Sequence, residues 1–166
     1  TYVDTAYPGI TGTASRSCCA WIKTDTPARD ILTWGQNSAG RKWRMWLEAG
    51  GGLRVEVNGG FHFGSTFLAD NEWHHVAVTL EDDGTPDCSE TLLYVDGRSE
   101  ATGGIGSAAI DTDPAGMVRI GMSDYHQTGF VGLIDDARIY DRVLAPEEIL
   151  WLAGRTTPVH QPFSDE

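Results

Sequence analysis

The chain has 166 residues, enough for one domain with a sizeable core and no need of disulfide support. Its 24 Asp and Glu against 12 Lys and Arg give a formal net charge of −12, which excludes a phosphate-tracking nucleic-acid binder and charge-driven docking on anionic membranes. No run approaches the roughly 18 apolar residues of a membrane-spanning helix, and 20 glycines with few helical stretches favour many short strands joined by tight turns.

In chain order, TYVDT opens as a strand already under way, which predicts a module whose leader and attached domains lie outside this sequence. Period-2 runs follow at 17–24, 30–35, 42–48, 53–59, 73–81, 91–97, 117–122 and 130–141. Turn clusters separate them at 37–40, 49–52, 82–87 and 111–116. KWRMWLE and LRVEVNG read as a hairpin through AGGG, with Trp43, Met45, Leu47, Leu53, Val55 and Val57 on the buried side. Arg44, Trp46 and Glu48 then share the opposite row, beside Arg54, Glu56 and Asn58.

Three cysteines cannot all pair, and no C-x-x-C points to zinc or redox work. Cys18 alternates with Ala20 and Ile22 as a small core residue, while Cys19 and Cys88 are left as one conceivable bridge. His74 and His75 are adjacent on a strand and point oppositely, so they read as packing and hydrogen-bonding residues. Trp21, Trp34, Trp73 and Trp151 read as core or edge-packing residues.

Near the C-terminus a strand gives way to a helix. From Val131, the alternate positions Leu133, Asp135, Ala137 and Ile139 form the more apolar row, which predicts that Asp135 is buried. A buried carboxylate needs donors, a cation or a metal. The alternatives for Asp135 are backbone N–H groups at the strand-to-helix corner, a pair with Arg138 or Arg142, or a metal. The helix is predicted over 146–153, with Pro146 in its first turn, Glu147 and Glu148 at the positive end of its dipole and Gly154 as its stop. Ile149, Leu152 and Ala153 form its packing face, against a sheet edge. These features place a domain at 1–154 and a tail or linker at 155–166.

CAWIKT (19–24), NEWHHVAVT (71–79), LLYVDG (92–97) and GFVGLIDDARIYDRVLAPEEI (129–149) together resemble the laminin-G-like, concanavalin A-type jelly-roll family, in its pentraxin-related branch. The resemblance implies an all-β sandwich of two antiparallel sheets with one short helix near the C-terminus. It also implies glycan or protein binding more often than catalysis, and a structural calcium held through an early loop, with Asp4 from that region, and the aspartate corresponding to Asp135. The laminarinase-like relatives place three carboxylates at alternate positions of one strand, as E-x-D-x-E, and this chain has no such pattern.

Two places carry glycan-binding chemistry. The row Arg44, Trp46, Glu48 offers a ring and bidentate side chains, with ordinary cross-strand charge pairing as the alternative. The loop SDYHQTG (123–129) gathers Asp124, Tyr125, His126 and Gln127, with a plain polar loop as the alternative. The expectation is a noncatalytic carbohydrate-binding module of an extracellular or cell-surface protein, with a polysaccharide partner and calcium support. The alternative is an adhesion module of the same fold that binds a protein.

Overall fold

The computed structural model of the chain describes residues 2–127 and 129–154, so the tail predicted from residue 155 lies outside the described residues. Among the described residues twelve strands, numbered along the chain, form two antiparallel sheets. One runs β1 (Val3–Asp4), β11 (Arg119–Ile120), β3 (Asp30–Gly35), β4 (Lys42–Leu47), β5 (Leu53–Glu56), β6 (Phe61–Gly64), β10 (Thr102–Gly106). The other runs β12 (Leu133–Tyr140), β2 (Arg16–Lys23), β7 (Trp73–Leu80), β8 (Leu92–Val95), β9 (Arg98–Ser99). This is the expected all-β jelly-roll sandwich. No helix among the described residues is long and apolar enough to cross a membrane.

The main core lies between the sheets and follows the alternation of the strands. Trp43, Met45, Leu47, Leu53, Val55 and Val57 from the predicted hairpin are all fully buried, facing Cys18, Ala20, Ile22, Val76 and Val78. The four-residue β6 and the glycine-rich β10 escaped the sequence reading. His62 of β6 turns inward and bonds Thr91 O at 2.8 Å and Thr102 Oγ1 at 3.0 Å. Its neighbours Phe61 and Phe63 therefore point outward.

A second apolar cluster lies outside the five-stranded sheet. Helix α1 (Pro146–Leu152) brings Ile149 onto Cys19, Ala77 and Tyr94, with Leu144 alongside. The helix thus covers a sheet face and also lies against the edge strand β9, as the sequence predicts. Ala145 makes no side-chain cap, and Glu148 Oε2 instead accepts the Ala145 N–H at 2.9 Å. Cys19 belongs to this outer cluster and Cys88 to the main core, so the bridge considered between them does not form, and all three cysteines are free. Of the tryptophans, Trp34 is core, whereas Trp73 and Trp151 stand exposed.

The predicted burial of Asp135 is overturned by a bulge. The pairing of β12 with β2 shifts between Asp135 and Arg138, and Asp136 sits in the left-handed region at φ 49°. The extra residue inverts the phase of the strand: Ile134 packs on the core before it, Ala137 and Ile139 after it. Leu133 and Asp135 are thereby turned out, and both are exposed. The Asp135 carboxylate accepts the Asp136 N–H at 2.8 Å, while Arg138 pairs with Asp136 and Arg142 with Glu148.

Candidate functional site on the seven-stranded sheet

The outer face of the seven-stranded sheet is built of two adjacent cross-strand rows. One crosses every strand, through Asp4, Arg119, Thr33, Arg44, Glu56, Phe61 and Gly106. Beside it run Asp30, Trp46, Arg54, Phe63 and Gly104. The hairpin explains much of this: once its apolar positions turn inward, Arg44, Trp46, Arg54 and Glu56 have no other side to take. A register shift between Asp30 and Leu32 lets Ile31 and Leu32 both reach the core while Asp30 stays outside, opposite Trp46.

The ion pairs of Asp30 and Glu56, at the centre of this face, are enclosed. Asp30, 0 % exposed, accepts Arg44 Nε at 2.5 Å through one oxygen and the Ser123 N–H at 3.1 Å through the other. Glu56 draws in three cations, with Lys42 Nζ at 2.7 Å, Arg54 Nη2 at 3.0 Å and Arg44 Nη1 at 4.0 Å. Burial alone pushes the Glu56 carboxyl upward, but the Lys42 hydrogen bond and charge, with Arg54 and Arg44, outweigh it and hold it below the usual carboxylate range. A general acid needs the opposite shift, so Glu56 is suited to anchoring cations.

Aromatic rings line the other half. The Arg44 guanidinium lies 3.8 Å from the Trp46 ring centroid, and Arg54 lies 4.3 Å from Phe61 and 5.3 Å from Trp46. Phe61 and Phe63 are near-parallel, 6.0 Å apart and inclined by 24°. Their floor is glycine: a Cβ on Gly104 would fall 2.6 Å from the Phe63 ring, and one on Gly106 would fall 2.8 Å from Phe61. Phe61 and Phe63 are the site residues that sequence reasoning missed. The signal was there, as F-x-F at 61–63 followed by the side-chain-poor TGGIG at 102–106.

The structure joins the two places that the sequence singled out separately. The loop after β11 folds over the β3–β4 end of this face. His126 Nε2 comes within 3.4 Å of Lys42 Nζ, the Tyr125 hydroxyl donates to Gly35 O, and Asp124 pairs with Arg119. Burial and the positive Arg44 and Lys42 lower the His126 pKa, so the ring stays neutral beside the lysine. Arg44 differs from expectation in being only 4 % exposed, enclosed by its partners rather than projecting. Glu48 follows the last residue of β4, and its carboxylate folds over Gly50 at the tip of the hairpin.

The two carboxylates that the sequence reading offers to calcium lie apart. Asp4 shares Arg119 with Asp124, accepting Arg119 Nε through Oδ1 at 2.5 Å, and its side chain is exposed. Asp135 lies on the other sheet, on its outer side. Among the described residues no three His, Cys, Asp or Glu side chains are gathered together.

The chain belongs to the concanavalin A-like lectin/glucanase superfamily, whose family model matches residues 1–150. Solved structures share the fold at low identity. The CBM40 of the Ruminococcus gnavus IT-sialidase, solved also with alpha2,3 sialyllactose bound, is 15 % identical with a TM-score of 0.66, covering 92 % of this chain and 96 % of its own in the unbound form. Domain 4 of an extracellular arabinanase from Geobacillus stearothermophilus, in complex with arabinotriose, is 19 % identical with a TM-score of 0.61, covering 87 % and 68 %. The heptameric SAP-like pentraxin of Limulus polyphemus is 18 % identical with a TM-score of 0.62, covering 92 % and 75 %.

Proposed function

We propose, with membership of that superfamily as the premise, that this chain is a noncatalytic carbohydrate-binding module of a secreted or surface-attached protein, and that the glycan lies across the outer face of the seven-stranded sheet. One observation carries the reading: this face combines a glycine-floored phenylalanine pair with stacked, ion-paired arginines, while the opposite outer face is covered in part by a helix. Rings meet the C–H faces of a sugar, and guanidinium groups donate to its oxygens in a fixed plane. The sugars named with two of the structural neighbours, sialyllactose and arabinotriose, lend support by analogy. Attachment to a larger protein would supply the effective concentration that makes a weak, shallow site useful.

A glycan array followed by titration calorimetry tests this. Phe63→Ala is expected to weaken binding at least ten-fold, with the unfolding midpoint little changed because the ring is only half-buried on the outer face. Leu133→Ala, on the other sheet, should leave binding unchanged. Absence of any glycan signal, or equal binding by Phe63→Ala, would remove the proposal.

A further inference from the structure

We infer that the glycan bound by this face carries a carboxylate, and that Arg54 is the residue that reads it. This deepens the carbohydrate-binding reading and rests on it. The first ground is charge. At the Arg54 end of the face, Lys42, Arg44 and Arg54 meet two carboxylates, Asp30 and Glu56, so this cluster holds one cation more than it neutralises, while the opposite excess, two carboxylates on Arg119, lies at the far end with Asp4 and Asp124. The positive surplus sits in a chain of net charge −12, so it is a local feature and runs against the overall composition.

The second ground is location. The Lys42 and Arg44 side chains are 2 % and 5 % exposed, whereas that of Arg54 is 21 % exposed. The surplus charge therefore reaches solvent at Arg54. It does so beside the ring best placed to take a sugar, since Arg54 and Phe63 are direct cross-strand partners.

The third ground is orientation and donor count. The Arg54 guanidinium is fixed by Phe61 and Trp46 and by its Nη2 bond to Glu56 at 3.0 Å. A stacked, tethered guanidinium is pre-oriented for a planar anion, with less side-chain entropy left to lose. Arg54 Nε and the Trp46 indole N–H are buried without a hydrogen-bond acceptor, so they add to the unneutralised positive potential under this face rather than reaching a ligand themselves. A neutral sugar brings donors and acceptors alike, whereas a carboxylate brings acceptors and the missing negative charge. Uronic acids and sialic acids both supply that chemistry.

The test compares acid and carboxyl-reduced forms of the same oligosaccharides by calorimetry on the whole chain: trigalacturonic acid for the uronates, 3′-sialyllactose for the sialates, and any further acidic sugar scoring on an array. The expected result is at least a ten-fold preference for the acid form in one of these pairs. Arg54→Gln should abolish the preference, Arg54→Lys should keep part of it, and Phe63→Ala should weaken both forms alike. An unchanged unfolding midpoint for Arg54→Gln separates loss of recognition from loss of fold. Equal binding of acid and reduced forms would overturn the inference and leave the carbohydrate-binding reading standing. Failure of every glycan, acidic or neutral, would overturn both, and a preference that survives Arg54→Gln would remove Arg54 from the role.

Discussion

The two outer faces of this sandwich are built by the same alternation and meet opposite fates. On the five-stranded sheet the outward row includes Cys19, Ala77 and Tyr94, small or apolar side chains that gain by leaving water, and α1 seals them with Ile149. On the seven-stranded sheet the outward rows hold Arg44, Arg54, Glu56 and Asp30, which no apolar helix can cover without a large desolvation cost. They are covered instead by the polar loop over 123–127 at one end, leaving Arg54 and the phenylalanine pair partly in water at the other. What faces outward on the strands decides whether a face becomes a second core or a site.

The largest expected effect tests whether the open face is as tightly built as the sealed one. Asp30→Ala removes the partner of Arg44 Nε and the acceptor of the Ser123 N–H in a fully buried setting, and should cost about 4 kcal/mol. Ile149→Ala, the matching cut in the sealed face, should cost about 3 kcal/mol by leaving a cavity. Both are read from denaturant unfolding at neutral pH. If Asp30→Ala costs less than about 1 kcal/mol, the charged rows behave as a hydrated surface, and the contrast between the faces is one of chemistry alone.

Much of this architecture was legible because burial acts on period-2 patterns. Leu53, Val55 and Val57 alternate with Arg54, Glu56 and Asn58, and that hairpin pairs as its residues dictate. Asp135 was misread for the same reason. A period-2 reading assumes an unbroken strand, and a bulge written only in the tolerance of Asp136 for a left-handed backbone inverts it. Phe61 and Phe63 were missed because their strand is four residues long, and because the glycines that seat the rings lie some 40 positions away, at 102–106. Half of the site was visible as the row through Arg44 and Trp46. Its meeting with the loop through Asp124, Tyr125 and His126 depends on β11 pairing with β3, a contact between distant segments that no local pattern encodes.

The two faces should also differ in their response to acid, by a smaller amount. His75 lies on the five-stranded side, edge-on to Trp21, and is 2 % exposed. Burial brings its pKa from 6.5 down to about 4, against the pull of Asp96 and Asp136. A depressed histidine pKa means that the unfolded chain takes up the proton first. The stability contributed by neutral His75 is therefore complete above pH 6.5 and drains away as pH falls towards 4, by about 3 kcal/mol in all. His62 and His126 act in the same sense. His74, raised by Asp96 and Asp70 against its own burial, acts oppositely: its contribution is complete below pH 6.5 and fades as pH rises through its folded value. Glu56, Asp70 and Asp87 are held below their ordinary values and lose their contributions only at lower pH, so the interval from about 6.5 to about 5 belongs to histidine. His75→Gln should flatten the unfolding free energy across that interval, and an unaltered slope would mean that His75 is hydrated on a face described here as sealed.

The smallest expected effect is none. A structural calcium would tie this chain to those relatives that hold their loops with a metal, and it would do so through Asp135 and Asp4. Asp135 is exposed beyond the bulge with its oxygen on the Asp136 N–H, and Asp4 already neutralises Arg119. Hard cations need six to eight oxygens converging from ordered loops, and one exposed carboxylate beside one ion-paired carboxylate on another sheet is a poor start. Adding calcium to chelator-treated protein should therefore leave the unfolding midpoint where it was, and Asp135→Ala should change stability by less than about 0.5 kcal/mol. A concentration-dependent rise that Asp135→Ala removes would show that calcium draws β12 into a geometry other than the bulged one. The five-stranded side would then be a metal-dependent surface as well as a sealed one, and glycan screens would have to be repeated with the ion present.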